Sequence, residues 1–181
     1  MLVSGGGTNL QALLDALQQS PRARVARVIS SRPDAGALDR ARRAAVPTTV
    51  LRDPADAAEL LAALGDAELV VLAGYLKLVP ASVVSRFRGR MINIHPALLP
   101  DFGGPGMYGQ RVHEAVLASG AKESGVTVHF VDEHFDRGPI IAQERVPVQR
   151  DDSAETLAAR VLEAEHRLLP QVVLDLAGRI A

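Results

Sequence analysis

The chain of 181 residues is 48% hydrophobic and sets 20 Lys and Arg against 21 Asp and Glu, a formal net charge of −1. That supplies a packed core and leaves no global field to attract nucleic acid or an anionic membrane. With 3% aromatics and no Trp there is no stacking platform for single strands, and with no Cys disulfides, thiolate catalysis and zinc–cysteine sites are excluded, which fits a reducing cytoplasm. No apolar run approaches the roughly 20 residues of a membrane span, and no charged segment leads into an apolar stretch at the start, so no signal peptide is expected. The length predicts one domain over 1–181.

Leu2-Val3 is a stub of strand. Asn9 to Gln19 has helical spacing at Leu10, Leu13, Leu14 and Leu17. A strand rich in Val and Ile is expected over Arg24–Ser30, a helix over Ala35–Ala45 with Arg40, Arg42 and Arg43 in solvent, a short strand over Thr48–Leu51, and a helix over Pro54–Leu64. Leu69–Ala73 reads as a buried strand, and Pro80–Phe87 as a helix with Pro80 in its first turn. Met91–His95 is the next strand, and a Gly/Pro loop follows from Pro100 to Gly109. Gln110–Ser119 is a helix stopped by Gly120, Gly125–Val131 and Ile140–Val148 are strands, and Ser153–Ala177 is a long helix. Ser153 is its expected N-cap, with Thr156 where a capping box has Glu; Pro170 is expected to kink it and Gly178 to end it. Strands alternating with helices predict an α/β fold: three layers, a mostly parallel twisted sheet with helices on both faces.

Three segments carry chemistry. Ser4-Gly5-Gly6-Gly7-Thr8-Asn9 lies between a strand and a helix, where glycines let backbone approach an anion and the helix N-terminus offers free N–H groups. No Gly-Lys-Ser/Thr follows, and Leu10 occupies the third glycine position of a dinucleotide fingerprint, so a phosphate monoester fits better than NAD or ATP. In Met91-Ile92-Asn93-Ile94-His95-Pro96, Asn93 and His95 share one face of a strand. They stand at its carboxyl end, where α/β sheets place ligands. The third segment, Asp132 to Pro139, is a charged loop between apolar strands. Asp136, held over the His95 strand, would raise the imidazole pKa and form an acid/base unit with it. Of the other histidines, His113 is expected at the surface, His129 in the core or in support of the site, and His134 in a loop; His166 follows Glu165, the residue of interest there. The spacing of His and acidic residues makes no case for a metal site.

Together these segments resemble the folate-dependent formyltransferases, and among them the phosphoribosylglycinamide formyltransferases. The resemblance spans nearly the whole chain. It rests on Ser4-Gly5-Gly6-Gly7-Thr8-Asn9-Leu10-Gln11-Ala12, Val71-Leu72-Ala73-Gly74-Tyr75-Leu76-Lys77, Ile92 to Pro100 (Asn-x-His-Pro…Leu-Leu-Pro), and Val128-His129-Phe130-Val131-Asp132 with Phe135-Asp136-Arg137-Gly138-Pro139. It implies a Rossmann-like formyltransferase fold, with a phosphate-binding half over roughly the first hundred residues and a folate-binding, catalytic half after it. It implies a catalytic trio of Asn93, His95 and Asp136, attack by the glycinamide amine on the formyl carbon of 10-formyltetrahydrofolate, and a tetrahedral intermediate. Asn93 would stabilise the oxyanion, and a protonated His95 oriented by Asp136 would do the same or shuttle the proton, directly or through water.

The resemblance further implies that Gly6, Gly7, Thr8 and Asn9 hold the ribonucleotide phosphate and that Glu165 contacts the ribose. Leu76, Lys77, Leu78 and Val79, with Glu133, His134, Phe135 and Gly138, would contact the folate, and Leu99-Pro100 matches a cis peptide site. The implied partners are small molecules, not nucleic acid or membrane, in a cytoplasmic monomer or homodimer of purine biosynthesis. Departures from the family pattern include Met1-Leu2-Val3, a short first strand, Leu162, which replaces a polar residue near the phosphate, and the loop Phe102 to Gly109, longer than in some relatives. The alternatives are a formyltetrahydrofolate hydrolase, whose family adds a regulatory domain, and a non-catalytic folate- or nucleotide-binding relative. A methionyl-tRNA formyltransferase would want basic surface.

Overall fold

The structure, a computed structural model, describes residues 1–180. The strands are β1 (Leu2–Val3), β2 (Val28–Ser30), β3 (Thr48–Val50), β4 (Val70–Ala73), β5 (Met91–His95), β6 (Glu123–Phe130) and β7 (Ile140–Pro147). The helices are α1 (Thr8–Leu17), α2 (Gly36–Arg43), α3 (Ala57–Leu64), α4 (Ala81–Arg86), α5 (Gln110–Ser119) and α6 (Ala154–Ile180). The strands form one seven-stranded sheet in the order β3-β2-β1-β4-β5-β6-β7. It is parallel through β5, and β6 and β7 join antiparallel.

Alternation along β1 sends its two side chains to opposite layers. Leu2 packs with Leu60, Leu64, Val83 and Val84 from α3 and α4, and Val3 packs with Leu10, Ala37 and Ala41 from α1 and α2. On the second face, Leu13 and Leu17 of α1 and Leu157, Val161, Leu169 and Val173 of α6 cover β4 to β7. The expected three-layer α/β architecture is thus present. The chain leaves β1 toward β2 on one side, and β4 lies on the other, so the carboxyl ends of β1 and β4 flank a crevice at the reversal of strand order.

Some boundaries differ from expectation. β2 begins at Val28, not Arg24, because its parallel partners begin at Leu2 and Thr48 and the register Leu2↔Ile29, Val28↔Thr48 leaves residues 24–27 without a ladder. Pro80 is the N-cap of α4, and its carbonyl accepts the Val84 N–H at 3.1 Å. α6 runs on through Pro170 and Gly178 to Ile180 and is not ended by the glycine. At its start, Thr156 N–H donates to Ser153 Oγ and Ser153 N–H to Thr156 Oγ1, so threonine completes the reciprocal cap. Among the described residues no helix is long and apolar enough to cross a membrane.

Candidate active site

The crevice opens into a cavity of about 570 Å³ that reaches from the glycine-rich loop to the carboxyl end of β5. At one end Gly7 sits at φ 76°, and a Cβ there would stand 2.6 Å from Ala37 Cα, so both conformation and close packing require glycine. Ala37 N–H donates to the Gly5 carbonyl at 3.1 Å, and Arg40 Nε donates to the Gly6 carbonyl at 2.9 Å. Arg40, expected to be idle in solvent, therefore braces the loop. Gly7 caps α1 without a side chain and no acidic residue lies in the first turn, which leaves the N–H groups around Thr8 and Asn9 for an anion. On the far side, Ser4 N–H donates to the Gly74 carbonyl at 3.1 Å and Ser4 Oγ accepts the Leu76 N–H at 3.0 Å, tying the loop to the segment after β4.

Behind this cradle, Asn9 Nδ2 donates to Glu165 Oε2. Glu165 is buried, and burial pushes its carboxyl up to about 7 against the opposing pull of the Asn9 hydrogen bond. Asn9 Oδ1 is buried without a partner among the described residues. Leu162 also lines the cavity here and offers no hydrogen bond.

At the other end stand the groups of β5. Asn93 Nδ2 lies 3.1 Å from His129 Nε2 and 3.4 Å from Asp136 Oδ1. His95 Nδ1 is 3.5 Å from Asp136 Oδ2, and His95 Nε2 is 2.8 Å from the Phe102 carbonyl. Asp136 adopts φ 57°, an uncommon conformation for a residue with a side chain, and its Oδ2 accepts the Gly104 N–H at 2.9 Å. The carboxylate thus comes over β5 as the sequence suggested.

The expected rise of the His95 pKa is not the net effect. Burial lowers it, and this outweighs the raising influence of the Asp136 charge and the Phe102 hydrogen bond. Burial also pushes Asp136 up, but the neighbouring His129 ring, the His95 charge and the Gly104 N–H leave it below the usual carboxylate range.

The cavity brings together Asn93, His95, Asp136, Gly6, Gly7, Thr8, Asn9, Glu165, Leu76, Lys77, Val79 and Phe135. Leu78, Glu133, His134 and Gly138 do not line it. The Leu78 side chain faces solvent, and His134 N–H closes a turn on Asp132 Oδ1 that turns the tip of the loop outward. Gly138 packs under the loop against the Phe130 carbonyl.

His129 supports the site as expected, whereas His113 is not at the surface. His129 partners Asn93, and His113 is buried on the cavity wall with Nδ1 unpartnered. The sequence signal for His113 is its place on the stripe Val112, His113, Val116 of an amphipathic helix, a buried face rather than a surface one. The 102–109 loop supplies Gly104, Met107 and Tyr108 to the wall, and Gln110 at the start of α5 bonds to Glu155 of α6. Leu99–Pro100 is cis, as the resemblance implied.

The formyl transferase family model matches residues 1–173. A phosphoribosylglycinamide formyltransferase of Haemophilus influenzae is 41% identical over 182 residues, covering 96% of this chain and 84% of its own length. A chloroplastic phosphoribosylglycinamide formyltransferase of Vigna unguiculata is 43% identical over 183 residues; the match covers 96% of this chain but only 58% of that protein, so the chain spans little more than half the length of this relative. The crystal structure of phosphoribosylglycinamide formyltransferase from Anaplasma phagocytophilum superposes with a TM-score of 0.91 at 38% identity, covering 98% of this chain and 85% of that one.

Proposed function

The chain belongs to the formyl transferase family, and from that premise we propose that it transfers the formyl group of 10-formyltetrahydrofolate to the amine of 5-phosphoribosylglycinamide, a step of de novo purine biosynthesis. The observation that carries this reading is the convergence of two chemistries on one cavity: a helix-terminal anion cradle at Gly7–Asn9 and an amide–imidazole–carboxylate cluster at Asn93, His95 and Asp136. A phosphorylated ribose amine needs the first, and acyl transfer needs the second.

In this reading the backbone N–H groups around Gly7, Thr8 and Asn9 take the phosphate, and the Asn9–Glu165 pair takes ribose hydroxyls. The unpartnered Asn9 Oδ1 and the buried Glu165 carboxyl give that pair unused hydrogen-bonding capacity. Leu76, Lys77, Val79 and Phe135 form the folate wall, with apolar surface for a flat ring system. The folate supplies the activated formyl carbon. As an amine adds to that carbon, negative charge grows on the formyl oxygen. Asn93 Nδ2 is a fixed neutral donor for it, worth roughly 3–4 kcal/mol by the measure of other acyl-transfer sites. His95 gains a proton as the amine loses one, and Asp136, kept ionised, stabilises the imidazolium; as the tetrahedral intermediate collapses, the bond from the formyl carbon to the folate nitrogen breaks and that nitrogen takes the proton from His95.

The same proposal takes residues 1–181 as one formyltransferase domain, working as a cytoplasmic monomer or homodimer on small molecules. Loss of formyl folate measured spectrophotometrically, with and without the ribonucleotide, tests it. Deformylation that requires the ribonucleotide is expected; deformylation that ignores it would assign a hydrolase instead.

A further inference from the structure

The segment after β5 returns to grip the two ends of the acid/base pair with its main chain. His95 Nε2 is 2.8 Å from the Phe102 carbonyl, and Asp136 Oδ2 accepts the Gly104 N–H at 2.9 Å. A carbonyl can only accept, so Nε2 carries hydrogen. His95 Nδ1 then faces a second acceptor, Asp136 Oδ2 at 3.5 Å. With an acceptor beyond each ring nitrogen, the ring is fully satisfied only as an imidazolium.

The segment is built to hold this arrangement. At its base, Thr127 Oγ1 donates to the Ala97 carbonyl at 2.6 Å and accepts from Leu99 N–H at 3.0 Å and from Gln143 Nε2 at 2.9 Å. Gln143 Nε2 also donates to the Leu99 carbonyl at 2.9 Å. At its tip, Phe102 takes φ 55°, a conformation that is strained for a residue with a side chain and persists where surrounding contacts impose it. Between the two grips lies Gly103, where a Cβ would stand 2.5 Å from Leu99 Cδ2 and 3.1 Å from Asp136 Cβ. The backbone crosses there too closely for a side chain unless Leu99 and Asp136 both shift.

We propose that Phe102 and Gly104 are positioning residues of the formyl-transfer site, acting through their main-chain carbonyl and N–H to fix the His95 ring and the Asp136 carboxylate in the geometry that lets His95 hold a proton. This rests on the transferase reading for its functional meaning, but not for its geometry. The groups facing the His95 ring are Asp136 from the β6–β7 loop, His129 from β6 and His113 from α5. His129 disfavours its charge and the carboxylate favours it, while the His95 charge in turn disfavours that of His113. The Phe102 carbonyl adds to the favourable side without bringing a charge of its own, and burial opposes both.

The test replaces Gly103 by glycolic acid in the full-length protein, which turns the Phe102–Gly103 amide into an ester. The Phe102 carbonyl becomes a weaker acceptor, while the lost Gly103 N–H makes no hydrogen bond among the described residues. His95 is titrated by NMR in the free protein, and the pH profile of kcat is measured alongside. The proposal expects the His95 midpoint to fall and kcat above that midpoint to drop about threefold, the size of a weakened hydrogen bond, with the KM for ribonucleotide unchanged. Glycolic acid in place of Gly104, which removes the N–H from Asp136, is expected to raise the Asp136 pKa in the same titration.

An unmoved His95 midpoint with folded protein overturns the proposal, because a merely structural loop would lower the melting temperature without touching that titration. The NMR readout needs no turnover. A His95 midpoint that responds in a protein without transferase activity keeps the positioning role and removes the transferase reading; normal transfer with an unresponsive His95 does the reverse.

Discussion

Asn93 Nδ2 lies 3.1 Å from His129 Nε2, and the far nitrogen of that ring, Nδ1, is 2.8 Å from the Phe130 carbonyl. Because the carbonyl only accepts, Nδ1 holds the hydrogen and Nε2 is the acceptor, which orients the Asn93 amide with its NH₂ toward Asp136 and the cavity. Removing the donor itself, by Asn93→Ala, is expected to lower kcat by about 10²–10³-fold. His129→Leu leaves the donor but frees its rotation, with an expected loss of about tenfold in kcat and little change in KM. Steady-state kinetics on both variants checks this; a raised KM with kcat unchanged would place His129 in binding instead.

Asp136→Asn removes the charge that favours His95 protonation and is expected to cost at least 10²-fold in kcat, since the imidazolium formed during transfer loses its counter-charge. Its stability signature has a definite sign. The carboxyl is held below its ordinary value, so its contribution is present above the unfolded pKa of about 3.9 and is lost as pH falls through the folded value. The asparagine variant should therefore show less loss of melting temperature on acidification below about pH 4 than the parent.

Glu165 works in the opposite sense. Its folded pKa of about 7 lies above that of an ordinary glutamate, so its contribution is full below about pH 4.5 and is lost as pH rises through 7. Glu165→Gln mimics the protonated form and keeps an acceptor for Asn9 Nδ2. The variant is expected to match the parent near pH 4.5 and to exceed it at pH 8 by a gain on the order of 2–3 kcal/mol. It should also bind the ribonucleotide more weakly, by about tenfold, if the carboxylate takes the ribose hydroxyls. Denaturation at the two pH values and calorimetric titration measure these separately.

Gly7→Ala introduces a Cβ 2.6 Å from Ala37 Cα at φ 76°. Strain and displacement of α2 together should cost about 1–3 kcal/mol of stability and open the anion cradle. The expected outcome is a lower melting temperature and at least a tenfold rise in the ribonucleotide Kd, with the affinity for folate nearly unchanged. Parallel losses for both ligands would show that the cradle and the folate wall are not separable.

Sequence reading carried furthest where a local signal and the tertiary environment agree. Met91–His95 has the same bounds in both, because a β-branched run stopped by Pro96 admits little else. Asn93 and His95 share a face by strand alternation alone, and the two line one cavity. What was hidden depends on long-range contacts. His113 beside Glu114 reads as surface until α5 is seen packed over the cavity, and Arg40 reads as a solvent charge until α2 brings it to the Gly6 carbonyl. The net direction of the His95 pKa is not legible in the sequence, because a nearby carboxylate is visible there and the depth of burial is not. The grip of the 102–104 backbone on His95 and Asp136 uses no side chain of those three residues, so their identities gave no hint of it.

The most direct measurement follows the formyl carbon. With 10-formyltetrahydrofolate labelled at that carbon and 5-phosphoribosylglycinamide present, the account predicts that label leaves the folate and appears one for one in the ribonucleotide, and that His95→Asn abolishes this transfer while ribonucleotide binding persists. Label recovered as free formate, or transfer at a near-normal rate in the His95→Asn protein, would contradict it.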